Sequence, residues 1–223
     1  MVGRTKKHSV FGRNIVLRQV FWRNRTLGEH AHTHHQVTEV DNRKFGMWVL
    51  IASECFLFGT LITNFLLNKH NVLPGTVGAI EVFDIVLTTF STFILLMSSV
   101  AMVFCLHYCR EKNLKAFQIS TAFVVLGGLI FLGCQVYEFD HFISSGYGFT
   151  ANVQASAFFL LTGCHGLHVI VGTLWFSTIL ITSLVKGNKW FNSDVIETAG
   201  LYWHFVDVIW IVIFTVVYLF IYL

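Results

Sequence analysis

The chain has 223 residues, 55% of them hydrophobic and 12% charged, with a mean hydropathy of +0.66. That charged share is about half of what a soluble globular domain carries, which argues against a water-soluble enzyme, and the mild net charge of +3 does not imply nucleic acid. One proline excludes collagen-like and proline-rich classes. The five cysteines, Cys55, Cys105, Cys109, Cys134 and Cys164, show no CxxC spacing and lie in or beside apolar runs, where they act as small hydrophobes.

Residues 1–44 are polar and basic, with Arg4, Lys6, Lys7, Arg13, Arg18, Arg23, Arg25, Arg43 and Lys44 and the histidines His30, His32, His34 and His35. No apolar core of a signal peptide occurs there and nothing serine-rich suggests a transit peptide, so a solvated cytoplasmic arm is expected. Such an arm seldom binds metal specifically.

Five apolar spans follow over Phe45–Leu67, Ile85–His107, Ala116–Tyr137, Val153–Val185 and Thr198–Leu223. Each reaches the roughly 20 residues that a helix needs to cross about 30 Å of hydrocarbon. The fourth is long enough to tilt or project. The fold class is therefore all-α, a polytopic membrane protein with a bundle of five transmembrane helices over 45–223 behind the 1–44 arm. Short connections make neighbouring helices antiparallel, and no internal repeat suggests a transporter's inverted halves. All but one of the 15 lysines and arginines, Lys69 being the exception, fall on the side of the N-terminal arm. The positive-inside rule then puts the N-terminus in the cytoplasm and the C-terminus on the outer face.

Ionisable groups within a bilayer are costly and mark candidate sites. Counted from the predicted helix starts, Glu54 and Asp207 each lie nine residues in, about 14 Å, and so share a depth. His204 precedes Asp207 by three residues on the same face and is expected to hydrogen-bond with it, flanked by Trp203 and Trp210. Two readings stand here, polar glue between helices or a proton-linked, lipid-shaping site around Glu54. His165 and His168 form an i, i+3 pair in the fourth helix. A transmembrane haem needs opposed histidines at one depth, and the rise per residue puts His204 about 15 Å from the level of His168, so packing roles and no metal are expected.

Glu138 ends the third span at the outer surface, and Glu197 precedes the fifth, where the helix dipole favours a carboxylate. Gly127, Gly128, Gly133, Gly163, Gly166 and Gly172 permit close helix approach. Lys186, Lys189 and Trp190 read as headgroup anchors for an anionic lipid.

Together the motifs Phe45-Gly46-Met47-Trp48, Ala52-Ser53-Glu54, Tyr137-Glu138-Phe139, Thr162-Gly163-Cys164-His165-Gly166-Leu167-His168-Val169 and Tyr202-Trp203-His204-Phe205-Val206-Asp207-Val208-Ile209-Trp210 resemble subunit III of the haem-copper terminal oxidases. The resemblance runs from about Lys44 to the end and matches the short, five-helix bacterial type, so it leaves the arm without a counterpart. It implies a non-redox accessory subunit of a proton-pumping respiratory oxidase in the bacterial inner membrane, bound to the catalytic subunit I and, through the complex, to subunit II. The haems and copper would lie in those partners, with phospholipid in a cleft of this chain. Electrons from cytochrome c or quinol would reduce oxygen to water elsewhere in the complex.

By the same resemblance, the subunit would support proton uptake near the D-channel entrance, and Glu54 stands where the family has its intramembrane glutamate near subunit I and its lipid cleft. Glu138, His165, His168, His204 and Asp207 form a structural polar network. Tyr202-Trp203-His204-Phe205-Val206 favours a cytochrome c oxidase over a quinol oxidase, and an accessory protein of nitric oxide reductase is a related alternative. A small proton-coupled transporter using Glu54, Asp207 and His204 is a distant one, since the only proline, Pro74, lies in a connection and no span is broken.

Overall fold

A computed structural model describes Asn42, residues 44–71, 83–187 and 192–219. The arm before Asn42, Arg43, Pro74, Lys189 and Trp190 lie outside the described residues. Five helices are long and apolar enough to cross a membrane: α1 (Lys44–Asn68), α2 (Ile85–Arg110), α3 (Leu114–Ser144), α4 (Val153–Lys186) and α5 (Ser193–Phe214), the last continuing through a π-helical turn, Thr215–Leu219. No strand occurs among the described residues. The chain is an all-helical, multi-pass membrane protein.

The apolar runs mark the helices, but side-chain caps set their ends. Asp84 accepts from the amides of Val86 and Leu87, Asn113 from Ala116, Asn152 from Ala155 and Asn192 from Val195. Each oxygen satisfies amides that the first turn leaves without partners. Asn192 therefore starts α5 at Ser193, before the expected Thr198, because the helix begins in polar sequence that a hydropathy count passes over. Glu197 accordingly lies inside α5 and pairs with Arg110 of α2 at 3.5 Å, rather than preceding the helix. Likewise α3 runs on past Tyr137 to Ser144. A three-residue turn joins α2 to α3, with Lys112 in the left-handed region at φ 57°.

Helices α2, α3, α4 and α5 close into a ring in which each packs on its two neighbours. Trp203 of α5 fills the centre and is wholly buried. Glycine admits it: a Cβ at Gly172 would lie 2.7 Å from the indole ring, and one at Gly128 2.9 Å from it. At Gly127 a Cβ would lie 2.6 Å from the Cβ of Ser98, so α2 and α3 also approach closely. From Met47 onward α1 stands outside this ring, burying only Met47, Phe58 and Phe65 of its hydrophobic residues. Phe58 packs edge-on against His168 at 5.0 Å and Phe205 at 6.5 Å, which docks α1 on α4 and α5.

Candidate functional site

Glu54 and Phe58 lie one turn apart on α1, so both meet the same partner face. That face is the His168 region of α4. Glu54 Oε2 and His168 Nε2 are 3.2 Å apart, with side chains 21% and 18% exposed. His168 Nδ1 lies 2.8 Å from the Cys164 carbonyl, which can only accept, so Nδ1 carries a hydrogen. Nε2 then faces the carboxyl either as an acceptor from a protonated Glu54 or as the second donor of an imidazolium to a carboxylate. In either state the two side chains make a direct polar contact between α1 and α4. Tyr202 of α5 donates to the His168 carbonyl at 3.0 Å and fixes the segment from behind.

The shared depth of Glu54 and Asp207 does not bring them together. Asp207 faces α2, and neither of its buried oxygens makes a hydrogen bond. Nor does it bond to His204, whose Nδ1 lies 2.6 Å from Ser99 Oγ of α2. Ser99 lies beside both α5 groups. The expected pair fails because an i, i+3 spacing brings two side chains near each other without aiming them, and the α2 hydroxyl offers His204 the better geometry. Further along the same seam, Trp203 Nε1 donates to Ser98 Oγ at 3.1 Å and Trp210 Nε1 to Thr92 Oγ1 at 2.9 Å.

His165 is fully buried, stacked on Trp210 at 4.8 Å, and neither ring nitrogen has a hydrogen-bond partner. It packs as a ring and stands outside the polar network. Although His165 and His168 are three residues apart, one faces Trp210 and Phe131 and the other Glu54. The 15 Å offset expected between His168 and His204 also fails. Gly172 faces Trp203 and His165 faces Trp210, an antiparallel register that sets His204 only about three residues, or roughly 5 Å, from the level of His168. The helix ends do not share a level: α5 starts five residues before its apolar run, and α4 extends about four residues past that start. Its rings are instead committed elsewhere, and no group of three metal-ligating side chains converges among the described residues.

Glu138 is buried, against the expectation of an interfacial acid. Its Oε1 accepts from Thr88 of α2 at 2.7 Å and from Tyr218 at 3.1 Å. The π turn of α5 carries Tyr218 to that point, beneath a cluster of Phe83, Phe142, Tyr147 and Phe158. Lys186 ends α4 exposed to solvent, where a cation suits the helix dipole.

Thr88, Thr92, Ser98, Ser99 and Tyr218 are partners that the motifs did not single out. The α2 hydroxyls recur at helical spacing in an otherwise apolar run, a periodic signal that marks the face turned to α5.

A family model described as cytochrome c oxidase subunit III matches residues 8–222. The chain belongs to the cytochrome c oxidase subunit III family. The match starts far before Lys44, so it takes in most of the arm that the motifs left without a counterpart. Cytochrome c oxidase subunit 3 of Bacillus sp. PS3 is 37% identical over 181 residues, covering 81% of this chain and 87% of that protein. The same subunit of Bacillus subtilis 168 is 36% identical, with 81% and 87% covered. A probable quinol oxidase subunit 3 of Staphylococcus saprophyticus is 35% identical over 192 residues, covering 83% of this chain and 96% of that one. Within this family the chain is an accessory subunit of a haem-copper oxidase.

Proposed function

We propose that this subunit supports proton uptake and the durability of turnover in the oxidase complex through the Glu54–His168 pair. The observation that carries this reading is the 3.2 Å approach of Glu54 Oε2 to His168 Nε2 at the partly exposed edge between α1 and α4. A carboxyl buried for adhesion alone belongs inside the bundle with its donors around it, as Glu138 is. A carboxyl at the edge, in contact with an imidazole, can exchange a proton with water or with a neighbouring subunit. The outer face of α1 is open beside it, with Cys55, Gly59, Thr60, Thr63 and Asn64 along a groove. Small and polar residues on an exposed transmembrane face suit a close-packed partner helix or a lipid cleft.

In this reading subunits I and II are the partners, and they hold the haems and copper. Phospholipid is a further partner, and the sequence offers Lys186, Lys189 and Trp190 as headgroup contacts. The excess of lysine and arginine on one side supports an N-terminus in the cytoplasm of a bacterial inner membrane and a C-terminus on the outer face. The donor is cytochrome c, which the Tyr202–Val206 motif favours. A quinol donor is the second reading, motivated by the staphylococcal relatives named probable quinol oxidase subunit 3.

The test is affinity purification of the chain in mild detergent, with a visible spectrum and mass identification of what is retained. Haem absorbance with subunits I and II is expected, and oxygen consumption with reduced cytochrome c against a quinol identifies the donor. A colourless chain that purifies alone as a stable particle would contradict the assignment.

A further inference from the structure

Between α2 and α3 a furrow of about 420 Å³ opens on the outside of the bundle. The close approach of Ser98 and Gly127 makes its floor, together with Ala101, while Phe93, Met97, Phe104, Phe123 and Leu126 stand out as its walls. These five wall residues are each half or more exposed, so the furrow faces whatever surrounds the bundle. Its floor is chemically closed. The Ser98 hydroxyl donates to the Leu95 carbonyl at 2.6 Å and accepts from Trp203 at 3.1 Å, leaving no polar atom to present outward. The occupant must therefore be apolar. A furrow of this volume and length accommodates an extended hydrocarbon chain. From Phe93 to Phe104 the furrow runs about 16 Å along the middle of α2, and its near end lies eight residues, about 12 Å, from the level of Lys112 and Lys115.

Lys112 and Lys115 lie at the α2–α3 turn, separated from one end of the furrow by less than the roughly 15 Å of one leaflet, so a lipid whose phosphate sits there can reach the furrow with its chain. Lys115 and Leu126 are eleven residues apart, close to three helical turns, so Lys115 continues the exposed α3 face of Ile119, Phe123 and Leu126 toward the α2–α3 turn. Phe104 stacks on Tyr108, extending the α2 wall to that turn, where Lys112 stands. Of the ions there, Arg110 pairs with Glu197 and His107 with Glu111, while no carboxylate pairs with Lys112 or Lys115 among the described residues.

We propose that this furrow binds one acyl chain of an anionic phospholipid, whose phosphate rests on Lys112 and Lys115. The site is distinct from the cleft beside Glu54, lies on the far helices of the ring, and does not rest on the reading of that pair.

The probe is phosphatidylglycerol against phosphatidylcholine, added to the delipidated oxidase complex and counted by native mass spectrometry. The wild-type complex should hold one more phosphatidylglycerol than complexes with Ala101→Phe or Val100→Trp, two substitutions that fill the furrow from different sides, so that one misfolded variant does not end the test. Lys112→Gln with Lys115→Gln should keep the chain but reduce the preference for phosphatidylglycerol, by about fivefold for each lysine removed. Equal lipid counts in the wild type and in both furrow variants would overturn the site. A preference unchanged by the lysine substitutions would overturn the anionic headgroup. Proton uptake in the Ala101→Phe complex should match wild type, which separates this proposal from the Glu54 reading.

Discussion

Helices α1 and α5 both pass as transmembrane spans by length and composition, yet they occupy opposite situations. Helix α5 lies at the heart of the ring, where Trp203, Val206, Trp210, Ile213 and Val217 are all buried, and its Tyr202, Trp203 and Trp210 donors are spent on α4 and α2. Helix α1 touches the ring along one stripe and leaves Trp48, Phe56 and Leu67 exposed. Each carries an acid of the family motifs. On α1 Glu54 meets a histidine at an accessible edge; on α5 Asp207 is sealed in without a bond. Hydrophobicity decides that a helix enters the membrane, and the small residues on its neighbours decide whether it becomes centre or edge. The buried centre and the partly exposed acid–histidine contact thereby fall to different helices.

The contrast is tested most severely at the centre. Trp203→Ala should cost about 3–5 kcal/mol through the cavity left beside Gly128 and Gly172, read as loss of assembled subunit or a lowered melting temperature of the complex. Survival of the subunit at wild-type yield and stability would show that α5 is not the keystone. Glu138→Leu strands the Thr88 and Tyr218 hydroxyls and should destabilise by about 1–3 kcal/mol, with Glu138→Gln recovering much of it because an acceptor oxygen remains. Thermal denaturation of the two variants side by side measures the difference. Ser99→Ala removes the partner of His204 and should cost about 1 kcal/mol, whereas Asp207→Asn should fall within about 0.5 kcal/mol of wild type, since Asp207 has no bond to lose. A large loss on Asp207→Asn would mean that the carboxylate has a partner from another subunit. At the edge, Glu54→Gln should have the smallest effect on stability of all.

Much of this was legible in the chain. Five apolar runs and the distribution of charge gave the helices, and separated motifs pointed to the family. The glycines at 128 and 172 were recognisable as sites of close approach, though not that one tryptophan fills both. Site geometry was less accessible, for two physical reasons. Hydropathy does not place polar caps such as Asn192, nor show that α4 runs on past the start of α5, so the relative levels of His204 and His168 are not legible from the apolar runs. Pairing was sought within helices, while the bonds run between them, Ser99 to His204 and Glu54 to His168. Glu138 looked interfacial for the same reason, because its donors come from α2 and from a π turn that composition does not announce.

The most direct test compares Glu54→Gln with Glu54→Ala in the intact oxidase complex, following subunit retention, initial oxygen reduction and persistence of activity under sustained turnover. Glutamine can still donate to His168 Nε2, so it preserves the contact but cannot pass on a proton. Both variants should retain the subunit, and both should lose proton uptake and persistence to a similar degree. Full recovery of persistence by glutamine, with loss only in alanine, would show that the pair serves adhesion and would contradict the central claim.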